Sequence, residues 1–553
     1  MNSLINRIRQ ASYSEANSAI RDICGIVNFF SSEKEKEEFV SGYAPELLCL
    51  CEDRITYGDW QTPEILAGKV CDAHLLKFGN PDIVIEPTCG EGAFIAAAIE
   101  KFPALAEIHA LEINRQYITE LKLRLLVNAL SRPTRKYPDI YLYNADFFDF
   151  DFSPIIEKAR DNSRNLAIIG NPPWVTNSAQ GKNNSGNTPL KQNLYRLKGI
   201  EAITGKSNFD ISEYITLRLI ELSQFNKGGI SFLLKNSVIR NIVSKQKIRP
   251  LHIGNIRQEL INASSEFNVS VDASCFSASF GATPGMTCCV SDFYNQTAIR
   301  DYGWVGNSFV SDMTQYQRFA IFDNKSDYVW RSGIKHDCAS VLELTRKDGI
   351  FKNGLGETVD IEDDLIYPLL KSSDIQNYQP DRPHKYLIVT QRYIGEDTSH
   401  LKESHPRGYA YLMKHENTFS RRKSSIYREK DRFSIFGIGD YSFKPYKIVI
   451  SSLYKSMKFL LVKQLDGKPV MVDDTCYQLD FDNEKEAVDI YNALCSHEIQ
   501  SLLKSLVFLD AKRVVTKNLL MRLDLVKYCD KKGIPLVSSR YNQTSHSQLS
   551  LFE

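Results

Sequence analysis

The run Leu166-Ala-Ile-Ile-Gly-Asn171-Pro172-Pro173-Trp174 delivers, at the end of an apolar stretch, side chains able to hold an amine. The Asn171 amide has a carbonyl acceptor and an NH2 donor, and Pro172 contributes a backbone carbonyl only, so the pair can accept both hydrogens of an exocyclic amino group. Held in that way, the nitrogen lone pair points outward. A methyl sulfonium in line with it can be attacked directly, with catalysis by positioning and electrostatics and without a covalent enzyme intermediate. Trp174 adds an aromatic face on which a base extruded from a duplex can stack. The same Asn-Pro-Pro also serves as a plain turn after a strand, and the motif alone does not choose between the two.

The elements that must position these residues are legible around them. Residues 166–170 are apolar or small and are bounded by Asn165 and a proline pair, which fits a short buried strand stopped where the ladder N–H is missing. Asn171 then stands at a strand's carboxyl end, where open α/β sheets place ligands. Strand-like runs recur at 83–86, 108–113, 140–144 and 229–234, with helical patterns at 93–101 and 211–224 between them, the alternation of a parallel sheet. The whole of 57–300 reads as one such unit.

Three more of these strand ends carry ligand-type residues. The first runs into Pro87-Thr88-Cys89-Gly90-Glu91-Gly92 and an Ala-rich helix. Gly90 and Gly92 allow close backbone approach, and the helix offers free N–H groups. With neither Gly-Lys-Ser/Thr nor a full Gly-x-Gly-x-x-Gly, the loop is poorly built for a nucleotide phosphate. Glu112 ends the second strand about 20 residues on, where an acid can accept from ribose hydroxyls. Asp146 follows the third, an acceptor for an adenine amino group, with Phe147 beside it to pack on a ring. Each carboxylate could instead cap a helix or face solvent; in register on successive strands, they favour an adenosine site.

This ordered set resembles the adenine-N6 DNA methyltransferases of bacterial restriction-modification systems, in the gamma arrangement. The resemblance covers roughly residues 55–290 and extends less specifically into the C-terminal half. It implies a Rossmann-like class I methyltransferase domain with a mixed seven-stranded sheet, S-adenosylmethionine as cofactor, and double-stranded DNA as substrate with the adenine flipped out. Tyr57-Gly-Asp-Trp-Gln61-Thr62-Pro63 resembles the leading motif, with Thr62 and Pro63 against the methionine part of the cofactor. Glu86 and the loop from Thr88 to Phe94 match the glycine-containing motif, Glu112-Ile113 the ribose pair, Asp146-Phe147 the adenine pair, and Asn171, Pro172, Pro173 and Trp174 the catalytic motif. The family usually has Tyr or Phe where this chain has Trp174. A second aromatic sandwiches the base in the family, and Phe267, before the strand-like 271–280, is the candidate, although a Phe beside a strand is also ordinary core. Asn at the head of the motif favours adenine over cytosine within the resemblance. In Lys206-Ser-Asn208-Phe209-Asp210, Asp210 is read as a helix cap.

With 553 residues and ordinary apolar and charged fractions, the chain suits two or three globular domains. A net charge of +1 excludes a uniformly basic coat, so any DNA surface must come from local segregation of charge. No signal-peptide core and no run of about 18 apolar residues is present, which gives a cytoplasmic protein without membrane contact as the expectation. The 12 cysteines are scattered, without paired Cys-x-x-Cys sets, and no metal is assigned.

Around the catalytic unit, 1–56 reads as an N-terminal helical extension. The Gly-, Asn- and Ser-rich 177–187 is a long loop able to close over substrate. Residues 301–384 read as a transition, 385–537 as an α+β target-recognition domain with strands at 386–390, 446–451, 458–462 and 477–481, and 538–553 as a disordered polar tail. Between His400 and Lys463 fourteen Lys and Arg face five Asp and Glu, interleaved with aromatics. Arg421, Arg422, Lys423, Lys444 and Lys447 are the candidate DNA contacts, though any one of them could simply be a solvated charge. Asp473 and Asp474 lack the Glu-x-Lys companion of a nuclease and read as structural or base-reading.

The resemblance further implies a cognate restriction endonuclease acting on the same site, and a monomer or dimer. Three other readings use the same residues: methylation of a protein glutamine amide, a fused restriction and modification enzyme, and a non-catalytic DNA-binding specificity subunit.

Overall fold

The computed structural model describes residues 2–41, 61–174, 210–268, 271–376, 385–509 and 513–536. The readings at 57–60, 177–187, 206–209 and 538–553 lie outside them. The chain divides into two compact units, Met1–Phe309 and Val310–Glu553.

The first unit is built on a sheet of β1 (Ile83–Glu86), β2 (Glu107–Glu112), β3 (Asp139–Asn144), β4 (Asn165–Gly170), β5 (Lys227–Lys235), β6 (Ile253–Leu260), β7 (Ala273–Phe280), β8 (Thr287–Asp292), β9 (Ala298–Val305) and β10 (Ser308–Val310), the last running one residue past the division. Their order is β3-β2-β1-β4-β5-β7-β6-β8-β9-β10. Strands β3 to β5 pair in parallel, and β7 is antiparallel to both β5 and β6. Seven strands thus form the mixed sheet expected from the sequence, and β8, β9 and β10 extend it beyond β6 to ten.

Every residue of β1, β2 and β4 is buried; β1 and β4 accordingly read as near-continuous apolar runs, while β2 also buries Glu107, His109 and Glu112. The chain passes from β1 outward to β2 and β3, then returns to place β4 on the other side of β1. That reversal makes the carboxyl ends of β1 and β4 the switch point of the sheet, where a crevice opens. The β3 edge is covered by the N-terminal segment. Val27 N donates to Ile140 O at 2.9 Å, Ile140 N donates to Gly25 O at 2.7 Å, and the Asn28 side chain bonds both backbone groups of Leu142. This removes an open strand edge, and Ile8, Ile20 and Phe30 join Leu125 and Leu126 in one core.

The second unit holds two sheets. One has the order β11-β20-β17-β18 from β11 (Arg331–Ser332), β17 (Tyr446–Ser451), β18 (Phe459–Val462) and β20 (Cys476–Phe481). The other has the order β14-β13-β12-β16-β15-β19 from β12 (Glu343–Lys347), β13 (Ile350–Asn353), β14 (Thr358–Val359), β15 (Ile366–Leu370), β16 (Lys385–Ile388) and β19 (Met471–Val472). The stretch before 376, read from sequence as a transition, therefore supplies five of these strands and part of a core, with Leu342, Leu344, Ile366 and Leu369 buried against Leu387 and Met471. Its strands are short and weakly patterned, so each is recognisable only by its partner. Glu343 sits buried in this sheet; desolvation pushes its carboxyl up, but hydrogen bonds from His336, Lys371 and Lys385 outweigh it and hold the pKa below the usual range.

Candidate active site

Successive strand ends bring the ligand-type residues together. Glu112, at the end of β2, accepts from Gly90 N on Oε2 and from Asn114 N on Oε1, each at 2.8 Å. The carboxylate therefore clamps the glycine loop, and a carboxylate oxygen can accept more than one hydrogen bond. Asn144, at the end of β3, donates through Nδ2 to the carbonyls of Glu112 and Ile113 at 2.9 Å each, fixing that pair from the neighbouring strand. Ile113 stands 51% exposed directly after a wholly buried strand, an apolar side chain available to a flat ring.

The glycine loop is shaped by what lies behind it. Gly92 has φ +78°, and a Cβ there would collide with Leu121; Gly90 has φ +51°, and a Cβ would meet Gln61 Oε1 at 2.8 Å. Gln61 Oε1 also accepts from Glu91 N at 3.1 Å, so the residue before Thr62 and Pro63 lies over the loop. Two buried polar atoms there, Glu86 Oε2 and Thr88 Oγ1, have no hydrogen-bond partner among the described residues. Buried polar atoms of this kind require a partner. Burial, reinforced by the Glu112 charge, pushes the Glu86 carboxyl well above its ordinary pKa, which favours its protonated form.

After β3, Asp146 is held by its own backbone turn. Its Oδ1 accepts from Phe148 N at 3.0 Å in a turn. Phe147 is buried, with its ring 5.6 Å from that of Phe152, so it packs inward; Phe148, half-buried and edge-on to Tyr214 at 5.3 Å, is the more accessible ring of the two.

At the end of β4, Asn171 Nδ2 donates to Thr62 Oγ1 at 3.2 Å. The bond orients the amide, nitrogen toward Thr62 and carbonyl oxygen on the other branch. Pro172 is buried and Pro173 half-buried. Trp174 is buried, its Nε1 donating to Leu233 O on β5 at 3.2 Å. Phe267, the last residue of the short helix Ala263–Phe267, meets it with ring centroids 5.3 Å apart at an interplanar angle of 71°. The two aromatics picked from the sequence are thus neighbours, but in edge-to-face contact. A base stacked between two parallel rings needs them about 7 Å apart, so the expected sandwich is not an open slot. Asp210 caps the helix Ile211–Ser223, accepting from Ser212 N.

No family model matches the chain. It is 40% identical over 476 residues to the Type II methyltransferase M.NspV of Nostoc sp., an alignment covering 85% of this chain and 97% of that protein. The chain belongs to the Type II methyltransferases. The structure of the Type IIL restriction-modification enzyme MmeI in complex with DNA shares the fold, with a TM-score of 0.51 at 12% identity over 89% of this chain and 73% of that one.

The cofactor of this methyltransferase is S-adenosylmethionine, and the residues present fit it. The acceptor carboxylate of Glu112 suits ribose hydroxyls, Ile113 a purine face, and Glu86 Oε2 and Thr88 Oγ1, without partners among the described residues, the polar methionine end. When bound, S-adenosylmethionine supplies an electrophilic methyl group.

The candidate DNA-contacting cations of the second unit fall into two groups. Lys447 is buried, donating to Lys444 O at 3.1 Å and Val470 O at 2.8 Å, and burial pushes its pKa down to about 7. It cannot reach a phosphate, because on β17 its side chain points into the unit. Arg422 is spent similarly on Ser434 O and Arg432 O, with its guanidinium 3.7 Å from the centre of the Tyr427 ring. Lys444 pairs with Asp482 at 2.8 Å, while Arg421 and Lys423 are exposed. Asp473 Oδ1 accepts from Thr475 N at 2.9 Å, making Asp473 a turn residue.

Sequence reasoning missed Gln61, Asn144 and Lys235, since each acts on a backbone atom of another segment. Among the described residues, no cluster of His, Cys, Asp and Glu could hold a metal ion, and no helix is long and apolar enough to cross a membrane.

Proposed function

We propose that this Type II methyltransferase transfers the methyl group of S-adenosylmethionine to N6 of an adenine flipped out of duplex DNA, as the modification component of a restriction-modification system. The observation that carries the reading is the Asn171–Thr62 hydrogen bond, which aims an amide carbonyl from the switch point of the sheet beside a glycine loop clamped by Glu112. Asn171 Oδ1 and the Pro172 carbonyl accept the two amino hydrogens, hold the nitrogen lone pair outward and take up the positive charge that develops on nitrogen. Trp174 offers its ring to the base, and Phe267 parts from it as the base enters.

Residues 57–300 are the catalytic domain and 385–537, with the strands before them, the target-recognition part, where Arg421 and Lys423 contact phosphate. A cognate endonuclease cutting the same unmethylated site is the functional partner. MmeI, whose fold this chain shares, was solved in complex with DNA, which is in keeping with DNA as the substrate class.

Sequencing that reports N6-methyladenine in DNA from cells expressing the wild-type chain tests the reading. Asn171→Ala should erase the mark while S-adenosylmethionine binding by calorimetry persists. Methylated cytosine alone, or normal methylation by Asn171→Ala, would sink it.

A further inference from the structure

Lys235, the last residue of β5, places its ammonium 2.8 Å from the Trp174 carbonyl and 2.6 Å from Asp210 Oδ2. The two charged side chains are only 17% and 9% exposed. Asp210 Oδ1 is occupied at the same time by Ser212 N at 3.0 Å and Ser212 Oγ at 2.6 Å. A buried ion pair offsets its desolvation only when the remaining polar atoms are bonded, and is a weak device for stability alone. Its stronger use is to fix geometry. Here it joins the final residue of the Asn-Pro-Pro-Trp turn to the first turn of the following described helix.

Trp174 is therefore held twice by β5, through its indole N–H at Leu233 O and through its own carbonyl at Lys235 Nζ. The second bond is charge-assisted, hence shorter and stronger than a neutral one. A turn held at Thr62 by its first residue and at Lys235 by its last has little freedom in between. The atoms in between are those that receive the amine.

We infer that Lys235 is a positioning residue for methyl transfer: its ammonium, anchored by Asp210, pins the Trp174 carbonyl and so sets the plane of the indole and the aim of the Asn171 and Pro172 carbonyls. The inference rests on the reading of that turn as the amine-holding site. Lys235→Met fills nearly the same space without the bond, Lys235→Arg returns a cation, and Asp210→Asn keeps the helix cap while removing the charge.

The experiment measures initial rates of tritiated methyl transfer from S-adenosylmethionine to unmethylated genomic DNA, together with the Trp174 share of the fluorescence, obtained against Trp174→Phe in each background. Lys235→Met should lower kcat about 10- to 100-fold. KM for S-adenosylmethionine should stay within about twofold. Trp174 emission should shift to the red and become more quenchable by acrylamide, and Lys235→Arg should restore most of both. Should Lys235→Met not fold, Asp210→Asn decides on the same readouts. Wild-type kcat or an unchanged Trp174 signal in the folded variant would overturn the inference. If the wild-type chain methylates no DNA, the proposed substrate fails instead, and the Trp174 signal still reports on Lys235.

Discussion

Asn171 and Thr62, 109 residues apart, are joined by a 3.2 Å hydrogen bond from the Asn amide to the Thr hydroxyl. Without it the amide could flip and present a donor where the amine needs an acceptor. Thr62→Val removes the bond and keeps the shape. We expect kcat for methyl transfer to fall about 10- to 100-fold, with a smaller change in calorimetric affinity for S-adenosylmethionine. Equal losses in both would assign Thr62 to cofactor binding rather than to orienting Asn171.

Trp174 and Phe267 fill each other's ring edge in the chain as it stands. The indole is tied to Leu233 O, whereas the phenyl ring of Phe267 carries no polar atom to tether it, so Phe267 is the ring that yields to an entering base. Trp174→Ala should lose about 1–3 kcal/mol of base stacking, roughly 5- to 150-fold in kcat/KM for DNA. Phe267→Ala, which opens the space, should cost less than about tenfold. Steady-state methylation of DNA by the two variants checks the ranking, and a larger loss for Phe267→Ala would refute it.

Lys447 has a folded pKa pushed to about 7 from an ordinary 10.5 by burial. Between those values the unfolded chain binds a proton that the folded one does not, so stability rises with pH across that window, by at most ~1.4 kcal/mol per pH unit. The penalty is fully present below the folded pKa and relieved at the upper end. Urea titrations at pH values across the window should show this slope in wild type and its loss in Lys447→Met. The same variant should leave the salt dependence of DNA binding unchanged.

Arg421 and Lys423 are exposed, while Arg422 between them is bonded to Ser434 O and Arg432 O. Arg421→Ala and Lys423→Ala should each weaken DNA binding uniformly across sequences and lower the slope of log K against log salt by about one. Arg422→Ala should instead lower the melting temperature of the second unit, because two carbonyls lose their donor. Filter binding at several salt concentrations and thermal melts separate the two behaviours.

Much of the catalytic unit was legible in the chain. Buried parallel strands are continuous apolar runs, so 83–86 and 166–170 could be located nearly to the residue, and the ligand-type side chains at their ends followed from sheet geometry. The second unit was less legible. Charge density pointed to Lys447 and Arg422 as DNA contacts, but a cation's job depends on whether carbonyls or water surround it, and composition carries no record of that.

By itself, then, the sequence determined the order of strands and ligand loops and the kinds of atom offered to an amine and a sulfonium donor, because those depend on local pattern and side-chain chemistry. Tertiary structure alone decided how the atoms are aimed. The bonds of Asn171 to Thr62, Asn144 to Glu112 and Lys235 to Trp174 join segments far apart in the chain, and the edge-on meeting of Trp174 and Phe267 arises where the turn after β4 meets a distant short helix. Hydrogen-bond direction and ring angle are properties of the packed interior, where each group takes the partner that the fold places beside it.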